Sequence, residues 1–226
     1  MASTKTDRRP ANNPKSRPKR RGLLWGGIAA GIVAVLAAGI LLITTNQPTA
    51  TTGGPAQSSA AGYAIGNPGP GAQAPGFSLP STSGSTVNLS DYRGKTVLLY
   101  FHEGLGCQPC WDQIRDLDAA RPELKAAGID QLLTITSGPV NLIAQKMDDD
   151  KLSAIALADT RLDISRTYEA NKYGMMGDSR DGHSFILVGA DGTIQWRADY
   201  GGAPDYTMYV PVNKLLSDLL NGKTTK

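Results

Sequence analysis

The chain has 226 residues, with 23 Lys and Arg against 20 Asp and Glu, and only two cysteines and two histidines. That length allows one domain of common size plus attachments. Eight of the basic residues, from Lys5 to Arg21, stand in residues 1–43 against Asp7 alone, so the remainder carries a net −4, which argues against a nucleic-acid partner for the globular part.

Residues 23–43 (LLWGGIAAGIVAVLAAGILLI) are uncharged throughout. As a helix they would span about 31 Å, enough to cross a hydrocarbon core. Lys19, Arg20 and Arg21 stand just before this run, and no basic residue follows until Arg93. The positive-inside rule then gives a cytoplasmic tail (1–22), a transmembrane helix (23–43) and an extracytoplasmic remainder, a single-pass protein of the cell membrane. The competing expectation is a cleaved secretory signal, which usually has a shorter apolar stretch ending at small-x-small; Pro48-Thr49-Ala50 is the nearest match. Residues 44–75 hold no charge and, apart from Tyr63 and Ile65, no larger apolar residue. Such a composition predicts a flexible linker, with an r.m.s. span of about 30 Å.

A domain over 76–226 is expected to begin with a short hairpin, Phe77-Ser78-Leu79 and Val87-Asn88-Leu89 around a Ser/Gly-rich turn. A buried strand follows at 96–101, then a helix over 108–127 with Trp111, Ile114, Leu117 and Leu124 inward, Pro122 as a kink and Gly128 as its stop. Further elements are a strand at 132–136, a helix at 140–149, a short strand at 155–157 and a helix at 164–170. An Asp191-Gly192 turn joins strands at 185–188 and 194–196, and a last helix covers 212–220. This order describes an α/β sandwich with a mixed central sheet.

The two cysteines lie in Gly104-Leu105-Gly106-Cys107-Gln108-Pro109-Cys110-Trp111, between the strand and the helix. A cysteine at a helix start meets unpaired backbone N–H groups that favour thiolate, which can lower its pKa from ~8.5 to roughly 3.5–7.5. Cys107 is therefore the expected attacking thiolate. Cys110, one turn on, is the expected resolving thiol. With no other cysteine the pair either cycles with itself or stays permanently closed as a structural disulfide, although so short a loop contributes little chain-entropy stabilisation. A metal reading also stands, since Cys107, Cys110, His102 and His183 would total four N/S ligands.

Three segments carry a family resemblance: Ala74-Pro75-Gly76-Phe77-Ser78-Leu79-Pro80 at the entrance, Leu89 to Leu99 (LSDYRGKTVLL) before the dithiol, and Phe185 to Gly192 after it. In these, over residues 72–221, the chain resembles the redoxin branch of the thioredoxin superfamily. That branch includes the alkyl hydroperoxide reductase and thiol-specific antioxidant proteins (peroxiredoxins) and membrane-tethered thiol-disulfide oxidoreductases. The resemblance implies a thioredoxin-like fold and an enzyme with Cys107 and Cys110 as catalytic residues and no cofactor. Its implied role is antioxidant or protein-disulfide exchange, with an electron-donor thiol protein as one partner and a protein disulfide or peroxide as the other. A peroxide-reducing peroxiredoxin is one alternative. A copper metallochaperone using Cys107, Cys110 and His183 is another, because copper-delivering thioredoxin-like proteins carry a His shortly before the equivalent late strand, though with a longer Cys-x-x-x-Cys. A non-catalytic docking domain is a third.

Two departures bear on the reaction. No proline stands just before the late strand, where thioredoxin-type reductases place a cis-proline. Peroxiredoxins use Pro-x-x-x-Thr/Ser-x-x-Cys with a partnering Arg. Gly104 and Tyr100 take the Thr and Pro positions when Cys107 is aligned, and Cys107 and Glu103 when Cys110 is. Arg180 is the candidate guanidinium. Asp148-Asp149-Asp150 is expected to be a solvated face rather than a calcium site. Met175-Met176 is expected to fill gaps, and the loop from Tyr200 to Tyr209 either borders the dithiol or covers the sheet edge.

Overall fold

The computed structural model describes residues 57–58 and 62–223. The expected cytoplasmic tail and transmembrane helix, residues 1–43, lie outside them. Among the described residues no helix is long and apolar enough to cross a membrane.

The strands are β1 (Gln57–Ser58), β2 (Ala64–Ile65), β3 (Ser78–Pro80), β4 (Thr86–Asn88), β5 (Val97–Phe101), β6 (Gln131–Thr136), β7 (Ile155–Ala158), β8 (Ser184–Val188) and β9 (Ile194–Asp199). Seven of them form a mixed sheet in the order β1-β2-β9-β8-β5-β6-β7. β3 and β4 form the separate hairpin expected of their sequence. β5, β6 and β7 run parallel, while β8 is antiparallel to β5, and β9 to β8. β5 is buried at all five positions, as a strand covered on both faces must be. Its side chains alternate between two cores. Leu98 and Tyr100 face one that includes Trp111, Ile114, Leu124, Ile143, Leu215 and Leu219 on the helices, whereas Val97, Leu99 and Phe101 face one built with Phe77, Leu79, Val87 and Tyr168.

The helices are α1 (Gln108–Ala119), α2 (Arg121–Ala126), α3 (Val140–Asp149), α4 (Asp163–Thr167) and α5 (Val212–Lys223). Pro122 does more than kink the predicted 108–127 helix. The helix ends at Ala119 and restarts at Arg121, with Pro122 in the first turn of α2, where its missing N–H leaves no acceptor unpaired. The fold also begins earlier than composition suggests. Ala64 pairs with Asp199, and Tyr63 is buried edge-on against Trp196, so part of the predicted linker belongs to the sheet. One aromatic ring seated on a tryptophan outweighs the polar character of its neighbours.

The parallel strands end, and β8 begins, on one edge of the sheet. The segment 102–106 after β5, Ser137 after β6, Asp159 after β7, residues 180–183 before β8 and the segment after β9 all meet there, at the carboxyl ends where open α/β sheets place their sites.

Candidate active site

Cys107 is the residue immediately before α1, and Cys110 lies in its first turn. The two are joined as a disulfide with their Cα atoms 5.4 Å apart. Cys110 is completely buried, while Cys107 keeps 7% of its surface exposed. Of the pair, only Cys107 keeps any contact with solvent. Pro109 sits at the start of the helix, as its fixed φ and missing N–H favour.

The segment before Cys107 is bonded at successive carbonyls. The Thr136 hydroxyl donates to His102 O (2.8 Å), Arg180 donates to Glu103 O (3.1 Å) and to Leu105 O, and the Trp111 indole donates to Gly104 O (3.1 Å). The Cys107 amide also donates to Gly104 O, at 3.0 Å. Gly104 has φ +73°, and a Cβ there would collide with Thr136 Oγ1, so both conformation and space require glycine. The Glu103 carboxylate is buried and accepts from the Met175 and Met176 amides, at 2.5 and 3.3 Å. This dithiol loop is thus held from β6, from α1 and from the segment before β8.

Arg180, the candidate for a peroxide-partnering guanidinium, is half-buried and spends Nη1 on the two loop carbonyls. Next to it, Asp181 accepts from the Ser137 amide at 2.6 Å. Burial, with the negative charge of Asp159 adding to it and hydrogen bonding opposing it, pushes the Asp181 carboxyl up to about 8.

The histidines occupy a different environment. His102 and His183 are both completely buried and pack on Tyr100, His102 stacked at 5.1 Å and His183 edge-on at 5.1 Å. His183 Nδ1 lies 3.0 Å from the Tyr100 hydroxyl, while its Nε2 and both nitrogens of His102 have no hydrogen-bond partner. Burial lowers both pKa values to about 3, so both rings are neutral at ordinary pH. The copper set of Cys107, Cys110 and His183 is a correction: among the described residues no three His, Cys, Asp or Glu side chains converge as metal ligands. His183 is committed to the aromatic core, where its ring contacts Tyr100, Phe185 and Tyr200.

Of the remaining candidates, Asp150 is paired with Lys146 (2.9 Å) and Arg115 (3.4 Å). Met175 and Met176 are exposed rather than gap-filling, at 57% and 53%. The loop after β9 borders the dithiol, because Met208 packs on the Cys107–Cys110 pair. Gln113 escaped the sequence reading, and Met208 entered it only as part of the Tyr200–Tyr209 loop. Gln113 had one local signal, its position three residues after Cys110, which puts both on one helix face. Within that loop nothing singled out Met208, since only the fold brings residue 208 to residue 107. The peptide that precedes β8 is not cis; among the described residues the cis peptides are Asn67-Pro68 and Ala203-Pro204.

A mixed sheet of thioredoxin type with a Cys-x-x-Cys pair at the mouth of its first long helix defines a thiol-based oxidoreductase. The chain belongs to the AhpC/TSA family, whose profile matches residues 70–197. It is 34% identical over 125 residues to peroxiredoxin Bcp of Escherichia coli, covering 54% of this chain and 80% of that protein. It is 36% identical over 76 residues to the thiol-disulfide oxidoreductase ResA of Geobacillus kaustophilus, covering 34% of this chain and 42% of that one. In fold it is similar to the crystal structure of peroxidoxin BcpB from Mycobacterium tuberculosis, with TM-score 0.55 and 17% identity over 67% of this chain and 96% of that one.

Proposed function

We propose that this protein is a membrane-tethered thiol-disulfide oxidoreductase facing the outside of the cytoplasmic membrane. Cys107 is the attacking sulfur and Cys110 the resolving one. The observation that carries the reading is the difference within the pair: at the start of a 12-residue helix, Cys107 alone reaches the surface while Cys110 is sealed beneath it. The amides and dipole at that helix start favour a thiolate on Cys107 once the disulfide is reduced. Its partners are an electron-donor thiol protein and an oxidised substrate. Likeness to ResA supports a protein disulfide as that substrate, and likeness to Bcp supports a peroxide.

Peroxide reduction is the second reading. It is favoured by the Bcp match, which spans most of that relative. In it, Cys107 thiolate attacks a peroxide oxygen, the O–O bond breaks to release water or alcohol, and Cys107 becomes a sulfenic acid. Cys110 then attacks that sulfur, releasing water and closing the disulfide. The membrane assignment rests on residues 23–43 and the basic residues before them.

The full chain in detergent, reduced and then mixed in stopped flow with hydrogen peroxide or with a protein disulfide, tests the reaction. Fast oxidation that requires Cys107 with one oxidant and not the other assigns the substrate. No oxidation by either overturns the reading. Alkaline-carbonate extraction of membranes tests the tether, which is wrong if the full-length chain is released.

A further inference from the structure

The disulfide has a sulfur-bearing neighbour. Met208 completes a small buried cluster with Cys107 and Cys110 and is itself only 6% exposed. It belongs to a strap, residues 200–210, that leaves β9 and crosses to the helix carrying the dithiol. At its start the Tyr200 amide donates to His183 O at 2.9 Å, and the Thr207 amide donates back to Tyr200 O at 3.1 Å. At its far end the Val210 amide donates to Gln113 Oε1 at 2.7 Å, and the Tyr209 hydroxyl donates to the Asp116 carboxylate. Gln113 and Asp116 both lie on α1, one to two turns after Cys110. The strap is therefore anchored on both sides of the residue that seats on the disulfide, while Tyr206 and Tyr209 face solvent at 44% and 36%.

Thiol attack on a disulfide proceeds at one sulfur and expels the other. Here Cys107 is the one of the two cysteines that keeps some exposure, and Met208 packs beside it. A small thiol brings little besides its own sulfur. A protein thiol brings its flanking main chain and needs space around Cys107 that the strap fills.

We propose that Met208 is a specificity-determining residue, which admits small thiols to the oxidised pair with the strap seated and admits protein thiols only when the strap lifts. The inference rests on the reading of Cys107 as the exchanging sulfur. The donor thiolate attacks Cys107 Sγ, the Cys107–Cys110 bond breaks, and Cys110 leaves as a thiolate that takes a proton from solvent. A second donor thiolate then attacks the donor's own sulfur in the mixed disulfide, releasing Cys107. The donor leaves as a disulfide, and two electrons have passed to the protein.

The test compares two reductants on the oxidised full chain in detergent: dithiothreitol as the small dithiol and reduced thioredoxin as the protein dithiol, with loss of the disulfide read by quenched alkylation and mass. In Met208→Ala the thioredoxin rate rises roughly tenfold, the size of a local opening made easier, and the dithiothreitol rate stays within about twofold. Tyr209→Phe, which frees the strap at Asp116 but keeps the methionine, shifts the ratio in the same direction and guards against misfolding of the first variant. Equal rises with both reductants, or no change in the ratio for either variant, overturn the proposal. A wild-type disulfide that neither reductant opens overturns the exchange reading beneath it as well, so the two failures are told apart.

Discussion

Two cysteines and two histidines lie near the same sheet edge, and the fold treats the pairs oppositely. The cysteines stand at a helix start, joined to each other, and only Cys107 keeps any exposure. The histidines lie against Tyr100, fully buried and held neutral, and three of their four nitrogens lack a hydrogen-bond partner. Position relative to solvent and to backbone N–H groups, rather than residue type, separates a reactive pair from a packed one. A histidine in the core acts as an aromatic surface with a latent cost, since protonation there would bury a charge.

Removing the exposed sulfur should do the most damage. Cys107→Ser lowers the exchange rate by roughly a thousandfold or more, because no other nucleophile reaches the surface there. Cys110→Ser leaves the first attack intact and traps a mixed disulfide, visible as an added mass in electrospray spectra. Equal loss in both variants at the first step would count against the assigned roles.

The packed pair is probed by pH. The folded pKa values of His102 and His183, about 3, lie below the unfolded value of about 6.5, so their contribution to stability is present above pH 6.5 and is lost as pH falls toward 3. His102→Phe should flatten that acid limb in urea titrations across pH 3–7, by on the order of a few kcal/mol. Asp181 works in the other direction. Its pKa is raised to about 8, so its favourable contribution is full below the unfolded value near 3.8 and lost as pH rises through 8. Asp181→Asn, which keeps an acceptor for the Ser137 amide, should stabilise the protein at pH 8–9 and do little near pH 4.

Lesser changes report how firmly the dithiol loop is held. Gly104→Ala, forced to φ +73° and into Thr136 Oγ1, should cost about 2–3 kcal/mol in the same urea titration. Arg180→Met removes a cation and two loop bonds. It should raise the Cys107 thiol pKa by roughly half to one unit, read from the pH dependence of alkylation. Arg180→Lys should recover part of that shift, whereas a purely packing role would leave the pKa unmoved.

The strand and helix order was legible because β5 is apolar along its whole length and β6 along half of it, and the turns carry Gly, Asp and Pro at telling positions. The dithiol was legible for a local reason, since a Cys-x-x-Cys pair after a strand needs no tertiary contact to be recognised. What surrounds it was legible only as candidates, Arg180 and the loop from Tyr200 to Tyr209. Met208 reaches the dithiol, and Arg180 its loop, only because β8 begins and β9 ends where β5 ends, and no spacing in the chain encodes that. Tyr63 was misread for a similar reason: a polar, glycine-rich segment hides one aromatic anchor whose partner, Trp196, lies 133 residues away.

The division of labour between the two sulfurs can be read in a single experiment, alkylation of the reduced native chain across pH 5–10 with each cysteine followed by peptide mass. Cys107 should be modified first, with an apparent pKa below the ordinary thiol value of about 8.5, while Cys110 stays protected. Modification of Cys110 first, or silence of both thiols until the protein is unfolded, would refute that division.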